Sequence, residues 1–69
     1  GFQAYCHNPF KDDKMEYLGT HETPRTAFNY YKNFKEKIIK QVAEIEYSKG
    51  NITKRCYEAM MNYEVEITD

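Results

Sequence analysis

Phe2, Ala4 and Cys6 alternate with Gln3, Tyr5 and His7. That period of two predicts a strand over residues 2–7 with one buried face. Asn8-Pro9 closes it, because proline cannot donate to a ladder. Lys11, Asp12, Asp13 and Lys14 read as a polar turn. Met15 to Thr20, carrying Tyr17 and Leu18 and closed by Gly19, read as a second strand over 15–20. A loop of about seven residues between them makes a wide hairpin. A lone hairpin is marginal in water, so a helix must cover one face. Alternation sends Phe2, Ala4, Cys6 and Leu18 to the covered face, and Gln3, Tyr5, His7, Met15 and Tyr17 to the open one.

The period then changes. Thr23 is a good N-cap, and Pro24 stands at the first helical position, where its missing N–H costs nothing. Ala27, Tyr31, Phe34, Ile38, Val42 and Ile45 recur at spacings of three and four and form one stripe. Lys32, Lys37, Lys40 and Glu44 fall off it, and Glu36 and Lys40 form an i, i+4 pair in the favourable order. Gly50 ends the helix. A helix over 24–48 exceeds the average length, so it should overhang the sheet and need a further partner. The next segment supplies one. Thr53 caps a second helix over 53–62, with Ile52, Cys56, Met60 and Tyr63 on its apolar side and Tyr57 and Met61 flanking. Tyr63 to Ile67 alternate again and read as a short strand or extended tail. The expected fold is α+β: a small antiparallel sheet of two or three strands packed on one long helix, then a short helix.

Sixty-nine residues allow one domain. Ten Lys and Arg against eleven Asp and Glu give a net charge of −1, which argues against a strongly basic nucleic-acid binder. The balance is uneven. Residues 22–49 hold six cations against four carboxylates, and residues 50–69 hold two against four. Lys32, Lys35, Lys37 and Lys40 could meet phosphates, although Glu36, Glu44 and Glu46 are interleaved, as on a solvated helix face. Seven Tyr and four Phe, with no Trp, suggest a core filled by a few large rings. No run of apolar residues is long enough to span a membrane. Cys6 and Cys56 are too few for a disulfide scaffold; they form either one long-range bridge in a secreted protein or reduced thiols in a cytosol. With His7 and His21 they lack zinc-ligand spacing. Asn51-Ile52-Thr53 matches a glycosylation sequon. No Ser/His/Asp or Cys/His arrangement is legible, so neither catalysis nor a cofactor is expected. The start at Gly1 suggests a processed, tagged or excised chain, with a further strand upstream.

The run Tyr17-Leu18-Gly19-Thr20-His21-Glu22-Thr23, followed by a helix with Ala27 and Tyr31, resembles the AP2/ERF DNA-binding domain. That family's third strand ends in an aromatic-Leu-Gly-x-aromatic run, followed by an acidic-Thr pair and a helix with small residues and a Tyr. Phe2-Gln3-Ala4-Tyr5-Cys6-His7 resembles its second strand. The likeness is greatest to the AP2-type domain appended to bacteriophage HNH homing endonucleases. Those carry runs similar to Ala4 through Phe10 and Glu16 through Gly19, and an end similar to Lys54 through Asp69.

The resemblance implies a target-recognition domain of an HNH endonuclease, a hydrolase, working in the cytoplasm of an infected bacterium. Its open sheet face would meet double-stranded DNA in the major groove, and other domains of a parent chain would be neighbours. Tyr5 and His7 match contact positions on the family's second strand, and Met15 and Tyr17 match contact positions on the third; Gln3 shares their face. Plant-type members carry several Arg there, where this chain has Tyr, His and Met, and His21 replaces an aromatic. No HNH motif is present. Two other readings stay open: a protein-interaction domain using the aromatic sheet face, and a small secreted inhibitor with a Cys6–Cys56 bridge.

Overall fold

In a computed structural model, which describes residues 1–12 and 14–66, the chain runs strand, strand, long helix, short helix. β1 spans Phe2–Asn8, β2 Lys14–His21, α1 Pro24–Ser48 and α2 Lys54–Met61. The two strands pair antiparallel in a two-stranded sheet, and α1 packs across one face of it. The α+β class and all four elements match the expectation from sequence. Residues 63–66 are neither helix nor strand, and Ile67 lies outside the described residues.

Both strands are longer than the alternation suggested. Asn8 continues β1 and pairs with Lys14, so the connection tightens. The Asn8 side chain explains this. Its Oδ1 accepts from the Phe10 N–H at 2.9 Å, and its Nδ2 donates to Glu16 Oε2 at 2.6 Å. An Asx-type turn thus begins inside the ladder and lets the chain reverse without a wide loop. Lys11 Nζ adds a 3.1 Å contact to Glu16 Oε1.

Gly19 does not close β2. The register moves from Gln3 opposite Thr20 to Tyr5 opposite Tyr17, which leaves one extra residue on β2. This is a β-bulge, and Gly19 sits in it at φ 101°, a conformation that side chains rarely adopt. The strand resumes with Thr20 and His21. His21 then stacks on Tyr30 of α1 at 4.3 Å between ring centroids, and its Nε2 lies 3.1 Å from the Leu18 carbonyl.

Ala4, Cys6 and Asn8 are the buried positions of β1, facing α1. Phe2, expected on this face, stays exposed, because the covered stretch begins at Ala4. α1 starts where the caps placed it: Thr23 Oγ1 accepts from the Thr26 N–H at 3.2 Å, with Pro24 next. It extends about 37 Å, whereas an eight-residue strand covers roughly 26 Å. The overhanging half is met by α2, whose cap is Thr53 accepting from the Cys56 N–H at 3.1 Å.

The face of α2 differs from the expected one. Cys56 is exposed, while Tyr57, Met60 and Met61 are half-buried. Tyr57 turns inward because its ring stacks on Tyr47 at 4.5 Å and its hydroxyl donates to Glu44 Oε1 at 2.8 Å. Both cysteines are free thiols, so the Cys6–Cys56 bridge is not formed. Glu36 pairs with Lys32, not Lys40, and also accepts from the Val65 N–H at 2.9 Å. The segment after α2 is thereby tied back to α1, with Val65 only 3% exposed.

The core is thin. The buried apolar residues are Ala4, Cys6, Ala27, Ala43 and Val65; among the described residues no large side chain is fully buried. The rings expected to fill the interior lie at its margins. The chain measures 43 × 25 × 14 Å and exposes 5261 Å². A compact chain of its mass exposes about 4,600 Å².

Candidate nucleic-acid interface

The outward side of the hairpin carries six side chains in three cross-strand rows, of which the His7–Met15 row also borders a cavity of about 500 Å³ shared with Tyr31, Lys35 and Ile38 of α1 and Met60 of α2. Gln3 stands opposite Thr20, Tyr5 opposite Tyr17, and His7 opposite Met15. All six are exposed, with Tyr5 at 44%, Tyr17 at 53% and Met15 at 61%. The five residues singled out from sequence, Gln3, Tyr5, His7, Met15 and Tyr17, therefore share one surface. Thr20 is the member that alternation alone missed. Counting in twos from Tyr17 reaches Gly19, and only the bulge turns Thr20 to this side.

The rows are ordered by local contacts. The Tyr5 and Tyr17 rings lie 5.3 Å apart and tilted by 50°, as a cross-strand aromatic pair. Tyr5 OH donates to Gln3 Oε1 at 3.1 Å, and Tyr17 OH is hydrogen-bonded to Thr20 Oγ1. Both phenol hydroxyls are thus engaged within the face, and the rings offer apolar surface to whatever lies above.

Charge is sparse here. None of the six side chains is Lys or Arg. Lys14 precedes Met15 at one end of the ribbon, and Arg25 follows from the first turn of α1 at the other; both are exposed. The lysine cluster of α1 is partly occupied elsewhere. Lys32 is paired with Glu36, and Lys35 Nζ donates to Tyr31 OH at 3.1 Å and sits 5.5 Å from its ring centroid.

The other side of the sheet holds different chemistry. Burial pushes the Cys6 thiol up, against a weaker pull down from Lys35, so Cys6 stays protonated. Hydrogen bonds from Asn8 and then Lys11 hold the Glu16 carboxyl below its usual range. A groove of about 620 Å³ opens beside α1, lined by Phe10, Phe34, Ile38, Gln41 and Ile45 among others. Most of its lining surface is apolar, although Asn8, Glu16, Lys37 and Glu44 also line it. Among the described residues no three His, Cys, Asp or Glu side chains group to hold a metal ion. Among them, too, no helix is long and apolar enough to cross a membrane.

No family profile, curated protein or solved structure matches the chain.

Proposed function

We propose that the open face of the β1–β2 hairpin contacts double-stranded DNA, and that the chain is the target-contacting module of an AP2-type, phage-like HNH endonuclease. The observation that carries this reading is the shared exposure of Gln3, Tyr5, His7, Met15 and Tyr17 on a two-stranded ribbon backed by a helix. The resemblance of Tyr17 through Thr23 and of Phe2 through His7 supports it. A two-stranded ribbon has the width that the major groove admits, about 12 Å. Alternate residues on a strand are spaced roughly 6.6 Å apart, close to two base steps of about 3.4 Å each. Three rows would then span about five base pairs. Lys14, which shares the α1 side of the ladder with Asn8, and Arg25, in the first turn of α1, stand near the two ends of the ribbon, so their long side chains would reach round it to flanking phosphates, which position the ribbon without reading sequence.

Few cations make the binding weak and its salt dependence shallow. Two phosphate contacts give a slope of about −2 in log K against log salt. Fluorescence anisotropy of a labelled duplex, titrated at several salt concentrations, tests this. The combined Tyr5→Ala, His7→Ala and Tyr17→Ala variant should weaken binding while circular dichroism stays unchanged. The absence of duplex binding up to roughly 100 μM protein in low salt would sink the proposal, since non-specific complexes already form in that range.

The excess exposed area supports a second reading, a protein-docking domain. Phe2, Phe10, Tyr30 and Ile45 add exposed apolar surface beyond the open face. Sedimentation at rising concentration separates the two. Self-association that the Tyr17→Ala change abolishes favours docking, and a monomer whose open-face resonances shift with DNA favours contact with the duplex.

A further inference from the structure

The side chains of the open face differ in which base edges they can satisfy. Guanine is read in the major groove by paired donors to O6 and N7, supplied by Arg or Lys, and neither stands among the six residues. Adenine is read by an amide, which donates to N7 and accepts from the N6 amino group. Gln3 is the only amide on the face, and its setting suits that task. The Tyr5 hydroxyl donates to Gln3 Oε1 and fixes the direction of the amide, leaving one oxygen lone pair and the Nε2 donors directed by that contact. Thymine differs from cytosine in the groove by its O4 acceptor, in place of the N4 amino donor, and by a C5-methyl group, which is read by apolar contact. Met15, 61% exposed, and the Tyr5–Tyr17 ring pair supply that surface, the more so because both phenol hydroxyls are already bonded within the face. Thr20 suits any base and adds no preference.

We infer that the hairpin face is selective for A·T pairs, with Gln3 reading adenine and Met15 and the Tyr5–Tyr17 pair packing on thymine methyl groups. This rests on the proposed contact with duplex DNA. It adds a sequence preference set by residues of the face and assigns Tyr5 the further role of positioning the Gln3 amide. The same inventory makes guanine-rich sites poor targets, because their O6 and N7 acceptors lose water without gaining a paired donor.

The test uses four labelled duplexes of equal length at low salt: alternating dA-dT, dA-dU, dG-dC and dI-dC. The dA-dU duplex lacks only the thymine methyl. The dI-dC duplex keeps the major-groove edge of G·C, while its minor groove resembles that of A·T. The dA-dT duplex should bind at least about fivefold more tightly than dG-dC, the low end for one good amide–adenine contact. The dI-dC duplex should behave like dG-dC, and dA-dU should fall between. Gln3→Ala should shrink the gap between dA-dU and dG-dC, and Met15→Ala the gap between dA-dT and dA-dU. Tyr5→Phe, which keeps the ring and loses the hydroxyl, should reduce adenine selectivity alone. Equal affinity for dA-dT and dG-dC overturns the inference while leaving DNA contact standing. So does dI-dC binding like dA-dT, which would place the readout in the minor groove. Binding to none of the four overturns the DNA reading itself and the inference with it.

Discussion

The two halves of α1 are covered in different ways. Over the first half lies the hairpin, held by a backbone ladder, with Ala4 and Cys6 buried on one side and Ala27 on the other. Against its middle and second half lie α2 and residues 63–66, which have no ladder to α1 and depend on side chains, with Met60 bordering the same cavity as Cys6 and His7 of the hairpin. Tyr57 is committed to Tyr47 and Glu44, and Glu36 to Lys32 and the Val65 N–H. Each set of contacts also has a carboxylate that ties a bend of the chain, Glu16 of β2 in the hairpin and Glu36, at the middle of α1, for the segment after α2. The difference shows where a surface can be left available. Because backbone bonds order the hairpin, its outward side chains need not hold the fold, whereas the inner side chains of α2 do.

The sharpest way to break this comparison is at Ala43, which is 0% exposed on α1. It shares a helix face with Tyr47, one turn on, and Glu36, two turns back, the two residues that bind α2 and its continuation. Ala43→Phe overfills that contact and should cost about 3 kcal/mol, read as a lower urea midpoint. The Tyr5–Tyr17 ring contact should outlast the Tyr47–Tyr57 stack in nuclear Overhauser spectra at intermediate urea. Simultaneous loss of both would show that the halves form one cooperative unit.

The corresponding change in the hairpin half is Gly19→Ala. At φ 101° any side chain is strained, and an added Cβ would come within 3.3 Å of the His21 ring. The expected cost is about 2 kcal/mol. The relief available to the chain is to slip the bulge, which would turn Thr20 away from the open face. Cross-strand contacts between Gln3 and Thr20 in the variant report this, and their persistence at wild-type stability would remove the bulge as the determinant of that face.

These two positions also mark where sequence stopped being informative. Thr23-Pro24, Gly50 and Thr53 announce the helix boundaries through local chemistry, so α1 and α2 were legible almost to the residue. The open-face residues on either side of the bulge were legible because a strand has a strict period of two. Gly19 was not, since a glycine that ends a strand and one that bulges it read alike. Ala43 carries no hydrophobic signal large enough to mark a stripe, yet a small residue is what lets the elements approach. Asn8 is polar and buried, a choice that depends on Glu16 eight residues away. Glu36 has acceptable partners at both Lys32 and Lys40. The Val65 N–H, brought back from far along the chain, lies on the same carboxylate that Lys32 takes.

Removing a cap tests the halves more gently. Thr53→Ala should cost about 1 kcal/mol. The loss should fall on α2, because an eight-residue helix has little stability of its own. Thr23→Ala removes the equivalent bond from a 25-residue helix already covered by the sheet. Amide exchange should therefore accelerate throughout α2 in the first variant but only in the first turn of α1 in the second. Equal, global acceleration in both would again argue for a single unit.

The smallest effect expected is the response to acid, and it separates the two carboxylates. Hydrogen bonds from Asn8 and Lys11 lower the Glu16 pKa below the usual 4.5. The Lys32 side chain, followed by the Val65 N–H, lowers that of Glu36. A carboxyl whose folded pKa lies below its unfolded one binds its proton more readily in the unfolded chain. The stability it adds is full above the unfolded value and drains away as pH falls through the folded value. Both groups are near solvent, so salt should blunt the effect. The reporters are local: the Asn8 side-chain amide for the hairpin and the Val65 backbone amide for residues 63–66. Glu36→Gln removes the charge but keeps an acceptor for the Val65 N–H. It should flatten the acid response at Val65 below pH 4.5 while leaving that at Asn8 intact, and Glu16→Gln should do the reverse. If either substitution flattens both responses, the two ties are coupled through α1, and the hairpin face is not independent of what α2 holds in place.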